Sequence, residues 1–483
     1  MESKEIIRIL NEIEESFPVD KWSVDDLDIW PYLRFKISSK LFDGKSSFKG
    51  NTFYMRYVKN IYKYFRNNIT FSLSRKKKTD FLFVENGVHI ADINGAYYFT
   101  RTDSIRDKLE KLGYGCKTLI GGYKVETPLY NSGEFFQYSL DWIFILNKLK
   151  GIFKKDGELK YNLDDYESFL SFLKQKGIYS NDLELKNLLR QIYRIKSIER
   201  YFIKILKKLK PKAVFILCYY STYGFGMILA CKKLDIPIID IQHGVQGDYH
   251  YAYGSYKKVP EKGYNLHPDI FYVWSDAEKN SLLKWVTKNT KIFVGGNNFL
   301  DMWKDNSNEI VKKYIYMLRE KYSLNKYSRV ILYTVDPQEK NNEEVIKAIQ
   351  ESPSDWFWFV RVHPKEVDML EYTKEKIGDV ECGWAINDIH TLPIYSLLKV
   401  SDVHVTHRSS TIIEAADFGI KSIVTSKSGI DLFKEYCNHD MMMYASSWKE
   451  ILEHIKNLKK EKQTVKINKE RDIIELVKII ENI

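Results

Sequence analysis

Two stretches of the sequence place basic and hydroxyl side chains where a strand gives out. Trp356–Val360 reads as a buried strand and runs into Arg361, Val362, His363, Pro364 and Lys365. Residues two apart share one side of a strand, so Arg361, His363 and Lys365 fall together. Charge-assisted hydrogen bonds from Arg361 or His363 suit a phosphate or a carboxylate, and Pro364 stops the strand and fixes the exit of the loop. Val403–Thr406 reads as a second strand and runs into His407, Arg408, Ser409, Ser410 and Thr411, where a helix opens. That helix start offers free backbone N–H groups, hydroxyls and the positive end of a dipole to an anion. Glu414 lies about one turn deeper. Its carboxylate either accepts hydrogen bonds from ribose hydroxyls or closes a capping box with Ser410 or Thr411. Together these residues describe a pocket for a phosphorylated ligand, most simply a nucleotide.

The first half of the chain offers a facing set. Ile236–Ile241 is a strand that ends in Gln242, His243 and Gly244. Glycine after the imidazole lets the chain turn sharply and a ligand approach the backbone. An imidazole titrates near neutrality and suits the general base for an acceptor hydroxyl; the bland alternative is a buried histidine bonded to backbone. Asp248, His250 and Tyr251 follow as acceptor-side candidates. Glu85-Asn86-Gly87, after the first strand, holds the reserve base, Glu85. No HExxH or Walker loop is present, and the expectation is that phosphate charge is balanced without a metal, by Arg361, His363, Arg408 and the helix dipole. No cofactor is expected beyond the donor substrate.

These groups need strands to carry them. From Thr79 onward strands alternate with helices: Phe81–Val84, Lys117–Ile120, Ala213–Cys218, Ile236–Ile241, Phe271–Trp274 and Ile292–Val294 precede Gly295-Gly296-Asn297-Asn298, with 134–210 reading as mostly helical. A second series has strands at Val330–Thr334, Trp356–Val360, Val403–Thr406 and Ser422–Val424. Such alternation implies parallel sheets covered on both faces. The expected architecture is α/β: two Rossmann-like domains facing a cleft, over 79–298 and 299–465, behind a helical basic extension (1–78). A last helix within 466–483 would pack back on the first domain. Ala213–Cys231 is uncharged between lysines, but its tyrosines, Gly224 and Gly226 fit strand, turn and buried helix better than a membrane span.

Composition narrows the partners. With 483 residues and 44% hydrophobic content, global disorder is excluded. Five scattered cysteines without CxxC spacing argue against a disulfide framework or zinc site and for a reducing cytoplasm. A net charge of +11 favours an anionic partner. Within 53–66, Tyr54, Tyr57, Val58, Ile61 and Phe65 share one helical face, and Arg56, Lys59, Lys63 and Arg66 the other. That segment reads either as a helix lying on an anionic membrane or as a surface helix docked on the protein. No nucleic-acid-binding motif accompanies the charge.

At these residues the chain resembles GT-B glycosyltransferases of bacterial capsule and surface-polysaccharide synthesis. The His-Pro and Ser-Ser/Thr motifs resemble those of bacterial sialyltransferases, polysialyltransferases and Kdo transferases. That resemblance implies a CMP-activated sugar donor, with His363, Ser409 and Ser410 holding its nucleotide and phosphate. Gln242-His243-Gly244 resembles a His-Gly element of capsule enzymes and CDP-glycerol glycerophosphotransferases. Glu414 is similar to the ribose-binding glutamate of GT-B enzymes that use UDP- or GDP-sugars. The sialyltransferases carry an acidic pair before glycine, where this chain has Glu85-Asn86-Gly87. The expectation is a metal-independent, inverting glycosyltransferase, cytoplasmic and peripheral at the inner membrane face, acting on a surface polysaccharide or glycolipid. Transfer from a UDP- or GDP-hexose, polyol-phosphate transfer from a CDP-polyol, and an inactive scaffold binding lipid or polymer are the alternatives.

Overall fold

The computed structural model describes residues 3–43, 79–85, 90–93, 95–121, 128–130, 135–138, 160–244, 246–336, 343–362, 369–386, 389, 392–434, 439–459 and 473–483. Two all-parallel sheets dominate it. In the first, seven strands lie in the spatial order Lys291–Val294, Ile270–Val273, Ile238–Ile241, Ala213–Leu217, Phe81–Glu85, Cys116–Gly121, Phe135–Tyr138. In the second, six follow the order Gly383–Ala385, Trp356–Arg361, Arg329–Thr334, Val403–Thr406, Ser422–Val424, Met442–Tyr444. Numbered along the chain, these are 7-6-5-4-1-2-3 and 3-2-1-4-5-6, the doubly wound order of a Rossmann domain. In such a sheet the order reverses between strands 1 and 4, and a crevice opens there beyond the carboxyl ends. The central strands are buried on both faces, which is why they read as unbroken apolar runs.

Each sheet is covered on both sides. One face of the first packs against the N-terminal helices Ser3–Ser16 and Trp30–Asp43 and the helices Tyr166–Gln175 and Leu185–Leu209. The other face holds the C-terminal helix Ile473–Glu481, whose Leu476, Val477 and Ile480 are buried in the cluster containing Phe81, Phe215 and Ile239. An antiparallel hairpin, Ile90–Ile93 with Ala96–Phe99, leaves the first domain and joins the apolar cluster of the second. Tyr98 stacks on Phe299 at 5.1 Å, and the Tyr314 hydroxyl donates to the Asp92 carbonyl at 2.9 Å.

Two expectations change here. Phe135–Tyr138 is an edge strand within the segment read as helical. The hairpin and the strands Gly383–Ala385 and Met442–Tyr444 were not anticipated. The basic 53–66 segment lies outside the described residues. Among those described, no helix is long and apolar enough to cross a membrane. Ala213–Leu217 is instead a strand, followed by the helix Thr222–Lys232 capped by Ser221.

Glycine is required in that helix. A Cβ on Gly224 would stand 2.3 Å from the Tyr219 carbonyl oxygen, and one on Gly226 2.4 Å from the Ile198 side chain. The helix is therefore pressed against Leu185–Leu209 on one side and its own entry turn on the other. Gly224→Ala should destabilise the protein by about 2 kcal/mol, since backbone cannot yield as a side chain can. A urea midpoint equal to the wild type would refute the requirement.

Candidate functional site

The reversal point of the second sheet falls between Thr334 and Thr406, so Asp336, His407 and Arg408 flank it. Arg408 lies 3.9 Å from the Asp336 carboxylate, and His407 Nδ1 is 3.3 Å from the Thr425 hydroxyl. The chain then turns through Ser409 and Ser410 into the short helix Thr411–Asp417. Ser409 accepts from the Thr411 N–H at 3.3 Å and donates to the Thr411 hydroxyl at 3.0 Å. Ser410 is exposed, and no side-chain cap forms on it, so the capping-box reading of Glu414 does not hold. Glu414 turns toward Tyr395 and the first domain. Burial pushes its carboxyl up to about 7, against the pull of the Arg101 cation and the Tyr395 hydroxyl.

Arg101 is the residue that sequence reasoning missed. It sits in the connection from the first strand to the first helix, held by the hairpin on one side and the helix Asp103–Lys111 on the other. Asp103 accepts from the Phe99 N–H at 2.7 Å, and Thr102 donates to Glu85, so the turn is pinned. The guanidinium lies 4.8 Å from the Trp274 ring centre. Its Nε and Nη1 are buried without a hydrogen-bond acceptor among the described residues. Its charge is felt at His243 in one domain and at Tyr395 and Glu414 in the other. Thr100, Arg101, Gln242, Trp274 and Asn297 line a small crevice there. A basic residue in the first strand-to-helix turn of a Rossmann domain was the signal available in the sequence.

His243 follows the strand Ile238–Ile241, half-buried, with Nε2 3.3 Å from the Tyr220 hydroxyl. Burial and Arg101 lower its imidazole to about 4, so it is neutral near pH 7. A neutral ring can take a proton from a hydroxyl only as that oxygen forms its new bond, because its conjugate acid is strong. Behind it Asp240 is fully buried, receiving the Tyr253 hydroxyl at 2.7 Å and the Tyr219 N–H at 3.0 Å, and burial raises it to about 7.

Several anticipated site residues have other partners. Arg361 Nη1 donates to the Ile389 and Leu392 carbonyls, at 2.8 and 2.5 Å. It ties down the loop before the helix that carries Tyr395, rather than presenting that nitrogen to a phosphate. Gln242 is fully buried: its amide donates to Gly244 and Glu278 and accepts from the Trp274 N–H at 2.7 Å. It positions the turn at His243 and has no amide group left for an acceptor. Asp248 accepts from Lys284 and, at 2.6 Å, from Ser281, which places it in the loop's anchorage. Glu85 is 1% exposed and bonded by Thr102, buried beneath the turn it was expected to serve. Gly244 lacks a left-handed backbone and a Cβ there would meet nothing within 4 Å, so space, not turn geometry, distinguishes it. His363, Pro364, Asn86 and Gly87 lie outside the described residues. Arg408, Ser409, Ser410, Thr411 and Glu414 are brought together at the reversal point, with Arg101 and His243 across the cleft.

Among known sequences, the family model described as UDP-N-acetylglucosamine 2-epimerase matches residues 193–473. This is a different family from the sialyl- and Kdo transferases whose motifs the sequence resembles. No curated protein matches the chain. Among solved structures, UDP-GlcNAc 2-epimerase from Neisseria meningitidis bound to UDP-GlcNAc is 15% identical, with a TM-score of 0.48 over 83% of this chain and 93% of that one. The UDP-GlcNAc 2-epimerase from Methanocaldococcus jannaschii is 12% identical, with a TM-score of 0.49 over 83% and 99%. The wall teichoic acid polymerase TagF is 12% identical, with a TM-score of 0.47 over 90% and 98%.

Proposed function

The chain belongs to the UDP-N-acetylglucosamine 2-epimerase family, and from that premise we propose that it binds a nucleotide-activated sugar in the cleft and transfers the glycosyl group to an acceptor hydroxyl. The observation that carries this reading is the Arg101 guanidinium beside Trp274, its buried Nε and Nη1 without an acceptor among the described residues, in the crevice lined by Gln242 and Asn297. Ser409, Thr411 and Arg408 hold the phosphates, Glu414 the ribose, and Arg101 the charge that develops on the leaving phosphate. His243 accepts the proton of the acceptor hydroxyl as its oxygen attacks the anomeric carbon; the bond from that carbon to the phosphate oxygen breaks, and the electron pair leaves with the nucleotide. The transfer inverts the anomeric centre and uses no metal. A uridine diphosphate sugar fits the family better than a CMP-sugar. The acceptor is a surface polysaccharide or glycolipid, met at the inner membrane face with help from the basic 53–66 segment.

The family match favours a second reading, inversion at C2 of the bound sugar. That reaction removes a proton from one face of C2 and returns one to the other. Near the cleft Glu85, Asp240 and Glu278 are all buried and bonded by protein donors, and the group at the strand end is one imidazole. Incubation with UDP-GlcNAc in deuterated water separates the two. Deuterium at C2 and appearance of the 2-epimer without an acceptor would replace transfer by epimerisation; sugar consumption only when an acceptor is added supports transfer. Thermal shifts with CMP, CDP, UDP and GDP identify the base, and stabilisation by CMP alone would return the donor to the sialic acid or Kdo class.

Glu414 yields a pH prediction. Ribose hydroxyls donate to the ionised carboxylate, so binding favours the charged form of a group that burial holds at about 7. UDP affinity should therefore rise as pH rises toward 7, with proton release on binding below it. Calorimetry in buffers of different ionisation enthalpy measures that proton. Glu414→Gln should bind more weakly and without the pH slope; a slope that survives the substitution removes Glu414 from the site.

A further inference from the structure

The long helix Leu185–Leu209 is basic along one side. Lys186, Arg190, Arg194, Arg200, Lys204 and Lys207 are exposed. At 100° per residue they occupy an arc of about 140°. Leu188, Ile192, Ile195, Ile198, Phe202 and Ile205 are buried opposite. The helix's one acidic residue, Glu199, is buried and reached by Lys233 at 3.4 Å. Among the described residues no carboxylate pairs with Lys186, Arg190, Arg200, Lys204 or Lys207. Arg190 bonds Asn187, and Arg200 bonds Ser197, both uncharged neighbours on the same helix.

This arrangement works against the helix. Lys186 with Arg190, Arg190 with Arg194, and Arg200 with Lys204 are like-charge pairs four residues apart, which destabilise a helix. Nothing in the first sheet's core asks for cations on the outer face. An anionic surface outside the protein would relieve the repulsion.

We propose that the outer face of the Leu185–Leu209 helix docks the protein on an anionic lipid bilayer. The stripe is straight, about 32 Å from Lys186 to Lys207, and lies on a convex helix rather than in a groove, so it fits a plane of charge. Tyr193 and Tyr201 stand half-buried along the same side, the residue type favoured at a membrane interface. Attraction of this kind requires no nucleotide and fades with salt. It stands independently of the transfer reaction.

The test uses the full chain and sedimentation with phosphatidylcholine vesicles, with and without phosphatidylglycerol. Binding is expected only with phosphatidylglycerol and should weaken as salt rises. The double variant Arg190→Glu, Lys204→Glu should lose it by about tenfold or more. Because the repulsive pairs are removed, the variant should melt no lower than the wild type, and its UDP-induced thermal shift should be unchanged. Vesicle binding that persists undiminished in the variant, or that ignores phosphatidylglycerol, overturns the proposal. So does retention on heparin or single-stranded DNA without vesicle binding, which assigns the face to a different polyanion.

Discussion

His243→Ala is expected to lower kcat by about 10²–10⁴-fold, the range of a lost general base, while the affinity for UDP stays at its wild-type value. The split follows from the site's two halves. In the proposed reading the nucleotide is held by Ser409, Thr411 and Glu414 at the reversal point of the second sheet, whereas His243 stands across the cleft at the end of Ile238–Ile241. The imidazole is lowered to about 4 by burial and by Arg101. It is therefore in its base form throughout the neutral range, and the rate should show no acid limb near 6.5. The limb belongs near 4, and a His243 resonance followed by NMR should titrate there. Stability carries the same signature. The folded-state value lies below the unfolded one, so the contribution is whole above about 6.5 and is lost as pH falls toward 4, where the unfolded chain takes up the proton first. A variant that keeps its kcat, or loses UDP affinity in step with it, would remove His243 from the chemistry.

What the sequence disclosed about this site depended on how local the signal was. The central strands were legible because both of their faces are buried: Ala213–Leu217 and Val403–Thr406 differ from the expected spans by one residue at most. The two edge strands of the second sheet were not, although Lys291–Val294 at the edge of the first was expected over Ile292–Val294. Gly383–Ala385 and Met442–Tyr444 have three residues each and pair on one side only, too short to show a period. The helix start at Ser409–Glu414 was legible for the same local reason, since strand, hydroxyls and carboxylate are contiguous. Arg361 was not, because its partners Ile389 and Leu392 are loop carbonyls about thirty residues away and composition does not say where a guanidinium turns. Gln242 and Glu85 show the complementary failure. A polar residue at a strand end faces either the crevice or the turn that builds it, and only Trp274, Gly244 and Thr102 in space decide for the turn. Arg101 escaped because the hairpin separates it from its strand, which hides that it occupies the first strand-to-helix connection.

Arg34→Met should cost about 3–5 kcal/mol, the penalty for stranding one partner of a buried ion pair. Arg34 and Glu14, on the two N-terminal helices, are both fully buried and in contact. Apart from the Trp30 indole, their other bonds within this cluster draw in one loop. Arg34 Nε donates to the Tyr251 carbonyl at 2.7 Å and Nη2 to Gly254 at 2.8 Å. Its guanidinium lies 4.0 Å from the Tyr256 ring centre. Glu14 accepts from the Lys257 and Lys258 N–H groups and from the Trp30 indole at 2.9 Å. The N-terminal helices lie outside the 193–473 family match, yet they clamp the segment that leaves the His243 turn. His250, Tyr251 and Tyr253 of that segment set their rings 5.5–5.6 Å from Tyr220, the partner of His243. Loss of the clamp should thus lower kcat as well as stability. Arg34→Lys keeps the cation without the planar fork and should fall between wild type and methionine on both measures. The double variant Arg34→Met, Glu14→Met should be no more stable than the single, because the Lys257, Lys258 and Trp30 N–H donors then lose their acceptor. Urea unfolding of the three variants, read beside their kcat, tests the clamp. A wild-type midpoint for Arg34→Met, or a double variant as stable as the wild type, would show that the pair holds nothing in place.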